Sequence, residues 1–328
     1  MKIQSVFPFA KQNYKYNNNY NFNPIKSLAC DTFSFSGRKV EDTEIALYKR
    51  QALNKQLDAL ELVGKSKKAQ KDAQRALGDV EKELSKAKSI LIVFNKNKNK
   101  DVVNLKNGNQ LKFEQATGDN ASLTASECDS EGNIVRIVRF VNSRPVEIST
   151  FVDGAKTYKF NDKTLTILNG IENTQDGTFV AKESYEFVNL KLTHASTDLT
   201  FDSDKQFVAN AFMFKDGALR IYARNSHTDA SRVIADDRYV LDEKGKLISY
   251  YKAFEVDGKT GMISNFDECY HFNNDKFNAC AKNVSYDPEA DEMFSNDAYY
   301  LKDGEFVHTS DFRFSVEDEE MIRFRDCE

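Results

Sequence analysis

The chain has 328 residues, with 46 Lys+Arg against 51 Asp+Glu (net charge −5), 40% hydrophobic and 12% aromatic residues, 25 Phe, 14 Tyr and no Trp. That apolar content suffices for one or two cored domains and excludes disorder along the whole length. No stretch approaches the roughly 18 consecutive apolar residues of a membrane helix; Ile90-Leu91-Ile92-Val93-Phe94 is far too short, so integral membrane helices are excluded.

Residues 1–40 hold six Asn between Asn13 and Asn23, interleaved with Tyr14, Tyr16, Tyr20 and Phe22, and their first acidic residue is Asp31. Such a segment lacks the aliphatic side chains of a core and is expected to be a disordered basic tail. Gln4, Ser5 and Pro8 interrupt the apolar core that a cleaved signal peptide needs, so a cytoplasmic protein is expected. The net charge hides a split: residues 1–100 carry 20 Lys+Arg and 10 Asp+Glu, or +10, and residues 101–328 carry 26 and 41, or −15.

Residues 41–94 read as helix: there is no Pro, the segment is rich in Ala, Leu, Lys, Glu and Gln, and Asp42 or Thr43 can cap it. In its second half Ala73, Leu77, Val80, Leu84, Ala87, Leu91 and Phe94 alternate steps of four and three, the seam of a coiled coil or helical hairpin. Leu53, Leu57 and Leu60 make a shorter stripe in the first half. Gly64 followed by Lys65-Ser66 offers a stop and a fresh cap, so two antiparallel helices are expected, with one long kinked helix as the alternative.

From about residue 101, short runs rich in Val, Ile, Phe, Tyr and Thr alternate with hairpin turns. Asn107-Gly108, Glu131-Gly132, Asp153-Gly154 and Asp176-Gly177 fall 24, 22 and 23 residues apart. Less even turns follow at Asn169-Gly170, Asp216-Gly217, Lys244-Gly245, Asp257-Gly258, Asn274-Asp275 and Asp303-Gly304. Ile134-Val135-Arg136-Ile137-Val138-Arg139-Phe140-Val141 places apolar groups on both faces of a strand, so the helices are expected to cover its second face. The predicted fold is α+β: an N-terminal helical hairpin (41–94), then a long antiparallel meander (101–328) of roughly 16 to 20 strands. That many strands should curl into a partial barrel or break into two packed sheets.

The units Asp129-Ser130-Glu131-Gly132-Asn133-Ile134-Val135, Leu241-Asp242-Glu243-Lys244-Gly245-Lys246-Leu247-Ile248 and Val256-Asp257-Gly258-Lys259-Thr260-Gly261 resemble the Gly-centred hairpins of MORN-variant repeat proteins, including antitoxin-type members. The resemblance covers about half of residues 101–328. It implies a tandem hairpin array used as a binding or scaffold surface, with no catalytic constellation of its own.

Cys30, Cys128, Cys269, Cys280 and Cys327 are scattered, and His194, His227, His271 and His308 are never paired at metal-ligand spacing. No nucleotide, dinucleotide or hydrolase motif occurs, so no cofactor or metal is expected. The densest cluster is Asp267-Glu268-Cys269-Tyr270-His271, with Cys280 nearby. On a strand Cys269 and His271 share a face, which suits a thiolate–imidazole pair or a metal site; a core cysteine beside a surface histidine accounts for the same pattern. The acidic loops Asp198, Asp202, Asp204 and Asp287, Glu289, Asp291, Glu292 lack the glycine and glutamate offsets of an EF-hand and read as solvated turns.

The expected function is non-catalytic: a protein-interaction or scaffold protein presenting an extended sheet to a protein partner. The alternative is a small-molecule binder or hydrolase with Asp267, Glu268 and His271 as acid–base candidates in a concave site. A second alternative is a nucleic-acid adaptor, because Lys2, Lys11, Lys15, Lys26, Arg38 and Lys39 alternate with aromatic residues in the N-terminal region.

Overall fold

A computed structural model describes residues 38–39 and 42–315, apart from short segments at 99, 117–121, 153, 174–177, 203–204, 229–231, 258–262, 288 and 290–291. The tail 1–37, Cys30, Cys327, Asp204, Asp291 and the Asp176-Gly177 turn therefore lie outside the described residues. The described chain contains one helix, α1 (Asp42–Lys96), preceded by the two-residue strand β1 (Arg38–Lys39). Short strands follow: β2 (Val102–Asn104), β3 (Gln110–Ala116), β4 (Ser122–Cys128), β5 (Ile134–Val141), β6 (Arg144–Thr150) and β7 (Lys156–Asn161). The strands then lengthen: β8 (Thr164–Asn173), β9 (Phe179–Val188), β10 (Lys191–Asp202), β11 (Lys205–Lys215) and β12 (Ala218–Thr228), then β13 (Arg232–Leu241), β14 (Leu247–Asp257), β15 (Ile263–Asn273) and β16 (Lys276–Asp287). The last four, β17 (Glu292–Ser295), β18 (Asp297–Lys302), β19 (Glu305–Thr309) and β20 (Phe312–Ser315), are short again.

All of them join one antiparallel sheet. From β2 to β16 each strand pairs with the next in sequence. At β16 the sheet forks: Ser285–Asp287 pairs with β17 and through it β20, while Ala279–Lys282 pairs with β18, then β19 and β1. Among the described residues no pairing joins β2 back to the far end, so the sheet is open, and its strands make one hydrogen-bonded sheet instead of the two packed sheets that were one of the two expectations.

The helical hairpin expected from Gly64 does not form; α1 runs unbroken for 55 residues. Ser66 is turned inward and its hydroxyl donates back to the Val63 carbonyl at 2.9 Å, as a residue inside a helix does, instead of capping a new one. A helical glycine costs only about 1 kcal/mol, and the buried stripe continues on both sides of Gly64 through Leu62, Ser66 and Ala73.

That stripe faces the sheet. Ala52, Ala59, Ser66, Ala73, Val80 and Ala87 are spaced by seven and all buried, and the seam residues Leu77, Leu84, Leu91 and Phe94 pack on the same core. Seven helical residues rise about 10.5 Å, and one hairpin spans two strand spacings, about 9.6 Å, so each heptad brings the helix to the next hairpin. The helix runs against the strand order. Phe94 meets Phe113 of β3 (centroids 5.2 Å apart), Arg136 of β5 donates to Glu83 at 3.1 Å, Lys156 of β7 to Asp79 at 3.2 Å, and Tyr48 meets Tyr299 of β18 at 4.6 Å.

Every second strand supplies the ring that fills this seam. Tyr158, Tyr185, Phe212, Tyr239, Tyr270 and Tyr299 recur 27, 27, 27, 31 and 29 residues apart, and all are buried. Between them Tyr222 and Tyr250 complete a ladder, Phe212–Tyr222–Tyr239–Tyr250–Tyr270, with neighbouring centroids 4.9 to 6.1 Å apart.

The second face is buried by a different device. Gly170, Asp198, Asn225, Ala253 and Asn283 lie inside β8, β10, β12, β14 and β16 with φ between +48° and +64°. Each resets the side-chain alternation of its strand. Tyr250 faces the helix, yet Tyr251 and Phe254 share the opposite face with rings 5.6 Å apart across Ala253. Two further cores result: Tyr251, Phe254, Val256, Phe266, Cys269 and Met293 in one, Leu168, Phe179, Leu199 and Val208 in the other. In β5 the helix covers only Val138 and Phe140; Ile134 is exposed, and Val135, Ile137 and Val141 on the second face are half-buried.

Candidate functional site

The polar groups nearest the helix seam are hydroxyls and carboxylates that hold the array together. The Tyr239 hydroxyl donates to Asp58 at 3.2 Å, Tyr270 to Glu268 at 2.6 Å with the Gln51 side-chain amide 2.9 Å from the same hydroxyl oxygen, Tyr185 to Glu183 at 2.9 Å and Tyr250 to Asp237 at 2.5 Å. Burial first, and the neighbouring carboxylates second, push these four phenols above their usual range. They stay protonated and act as donors. Asp237 also pairs with Arg224. Between helix and sheet, Arg136 bridges two carboxylates, Glu83 at 3.1 Å and Glu127, and all three side chains are nearly buried.

The sequence-predicted cluster is split by strand alternation. Glu268 lies on the helix side, holding the Tyr270 hydroxyl. Cys269 is fully buried in the second-face core, and half-buried His271 meets the Tyr251 ring edge-on at 5.9 Å. Asp267 is exposed on β15. The structure thus does not bring Asp267, Glu268 and His271 together around one point. Cys280 pairs across the sheet with Tyr270, and burial pushes its thiol up to about 12, which keeps it protonated. Among the described residues no group of His, Cys, Asp and Glu is placed to hold a metal ion. In one of the acidic loops Arg313 binds Asp287 at 3.3 Å.

A buried pair escaped the sequence reading. Glu186 of β9 and His194 of β10 are register partners, with Nδ1 3.8 Å from Oε1. Burial pushes the carboxyl up to about 7 and the imidazole down to about 4, so both are driven towards their neutral forms. The only sequence signal is alternation: Glu186 sits between the inward Tyr185 and Phe187, on the opposite face.

What the molecule offers to solvent is a helix back and a row of hairpin turns along it. Gln56 donates to the Asp275 carbonyl at 2.9 Å and Gln70 to the Gly217 carbonyl at 2.8 Å, while Gly245 lies against Val63, so successive turns meet the helix at seven-residue steps. Next in this row is Asn189-Leu190, where Leu190 is 71% exposed and held at φ +64°. With Gln74, Lys191, Leu192, Asp216 and Gly217 it lines a shallow recess of about 330 Å³. On the helix back Leu53, Leu57 and Leu60 are each more than half exposed. No helix among the described residues is long and apolar enough to cross a membrane.

No protein-family model matches the chain, and no curated protein matches it. Among solved structures, a candidate 6-phosphogluconolactonase from Bacteroides fragilis NCTC 9343 is similar at 11% identity and a TM-score of 0.14, over 66% of this chain and 84% of that one. A second, from Bacteroides uniformis ATCC 8492, is similar at 12% identity and the same TM-score, over 66% and 85%. Likeness at that level carries no argument about fold or function.

Proposed function

We propose that the protein is a non-catalytic interaction scaffold, a tandem array of β-hairpins laid along one helix that offers its turns and helix back to a protein partner. The MORN-variant resemblance fits this reading, as does the recurrence of one inward ring every 27 to 31 residues. Arrays of this kind build long, stiff surfaces in which each unit contacts its neighbours. The single observation that carries the reading is Leu190. A leucine with φ +64° pays a conformational cost of about 1 kcal/mol or more, and here the side chain is left in water, where it contributes no core packing.

The test replaces that residue. Leu190→Gly relieves the backbone and should raise stability by about 1 kcal/mol while lowering capture of the specific partner. A photo-crosslinking residue at position 190 of the full chain identifies that partner. Recovery of no specific protein, or unchanged capture by Leu190→Gly, counts against the proposal.

A further inference from the structure

We infer that the Leu53–Leu57–Leu60 face of α1 receives an amphipathic helix from a partner protein, with apolar residues along one side and carboxylates along its flanks. The inference rests on the interaction reading above and names the partner's chemistry. The three leucines are 54%, 55% and 64% exposed and lie on the side of the helix opposite the buried Ala52, Ala59 and Ser66. With Gly64 they step by four, three and four, the spacing of a helix–helix seam. A side-chain carbon added at Gly64 would meet nothing within 4 Å, so a second backbone has room to approach there.

Charge selects among the occupants. Arg50 stands before the stripe, and Lys67, Lys68 and Lys71 follow it, all exposed. Glu61 is matched by Lys65 at 2.8 Å and Asp58 is turned to the Tyr239 hydroxyl, so four cations stand against one remaining carboxylate and the rim is basic. A second copy packed antiparallel, with Leu57 against Leu60 and Leu53 against Gly64, would set Arg50 against Lys67 and Lys49 against Lys68. The chain's own N-terminal residues, with Lys2, Lys11, Lys15 and Lys26, repel the same rim. Its acidic stretch Glu317-Asp318-Glu319-Glu320 has no apolar residue between its carboxylates and supplies no seam. An anionic membrane matches the charge, but an interfacial helix buries a wide apolar face, and this stripe is bordered directly by Asn54, Asp58 and Glu61. A helix with acidic flanks satisfies both the narrow seam and the basic rim.

The experiment titrates the full chain into a labelled synthetic helical peptide with leucines on its a and d positions and glutamates on its flanks. Saturable binding in the micromolar range is expected, weakening as salt rises and falling by about tenfold or more in Leu57→Gln/Leu60→Gln. Lys67→Glu/Lys68→Glu should weaken it too, and a lysine-flanked peptide should not bind. Both variants change exposed positions, and unchanged melting temperatures confirm that they fold. No binding of the acidic peptide, equal binding of the lysine-flanked one, or indifference to the leucine substitutions overturns the inference. So does leucine-dependent binding to phosphatidylserine vesicles without peptide binding, or leucine-dependent self-association in sedimentation. If the stripe fails while a partner is still crosslinked at position 190, the scaffold reading stands and only this inference falls.

Discussion

The hydroxyl of Tyr239 and the carboxylate of Asp58 meet at 3.2 Å although 181 residues separate them. The same relationship recurs along the helix: Gln51 faces Tyr270, Asp58 faces Tyr239, Asp72 lies near Tyr185 and Asp79 near Tyr158. Positions 51, 58, 72 and 79 belong to one heptad series, and the remaining member, Lys65, falls at the step of Phe212, the one ring of that series without a hydroxyl. Polar helix positions thus line up with the phenols of successive hairpins, one heptad step at a time.

If that matching is energetic, Asp58→Ala and Tyr239→Phe should each cost about 1 kcal/mol, and the double variant should cost less than the sum. Urea denaturation of the four proteins measures the coupling, expected at about 0.5 to 1 kcal/mol. Additive losses would mean that the contact contributes nothing.

Arg136 neutralises two nearly buried carboxylates, Glu83 and Glu127. Arg136→Ala leaves Glu127 without its cation, while Glu83 keeps Lys86 at 2.8 Å, and should destabilise by about 3 kcal/mol. Adding Glu127→Gln should recover part of that loss, because one uncompensated charge is removed. The check is the denaturation midpoint of single and double variants.

The Glu186 carboxyl rises from the usual 4.5 to about 7, so the folded state holds this proton more tightly than the unfolded chain does. Stability therefore falls as pH rises through that interval, with the full cost present above about pH 7. His194, lowered from 6.5 to about 4, works in the opposite direction, its cost growing as pH falls through that window. Glu186→Gln should gain on the natural protein as pH rises from about 4.5 to 7, by on the order of 2 kcal/mol; His194→Gln should gain as pH falls from about 6.5 to 4. Melting temperatures across pH 4 to 8 test both, and an ionised Glu186–His194 pair would reverse both slopes.

Ala253 is the one residue of its row that is neither Gly, Asn nor Asp, yet it sits at φ +50°. Ala253→Gly should stabilise by about 0.5 to 1 kcal/mol, and Ala253→Val should destabilise by more, since β-branching is least tolerated there. Thermal melts of the two variants give the comparison.

The turns were readable in the residues because their chemistry is local: Asn274-Asp275, Asp216-Gly217 and Asp303-Gly304 are residue types that accept positive φ, and they turn where expected. The helix from Asp42 was readable for the same reason. Its continuity through Gly64 was not, because the decisive term is burial against strands more than a hundred residues away. A heptad suits a helix–helix seam and a hairpin array alike, because two strand spacings and two helical turns are nearly the same length and both partners ask for the same spacing. Asn225 and Asn283 look like ordinary strand residues, and nothing local distinguishes Ala253. The cluster Asp267-Glu268-His271 was dense in sequence, but alternation sends neighbours to opposite faces of a strand.

The antiparallel course of α1 against the strand order sets a schedule for synthesis. The helix leaves the ribosome complete before any hairpin exists, and the hairpins then reach it from its C-terminal end backwards. The separations lengthen in order: 53 residues for Glu83 with Arg136, 77 for Asp79 with Lys156, 147 for Gln70 with Gly217, 181 for Asp58 with Tyr239 and 219 for Gln51 with Tyr270. Assembly can thus proceed as a zipper, each new hairpin pairing with the last strand laid down and covering the next two turns of a waiting rod. The first turns of the helix, at Tyr48, wait 234 residues for Lys282 and stay uncovered longest.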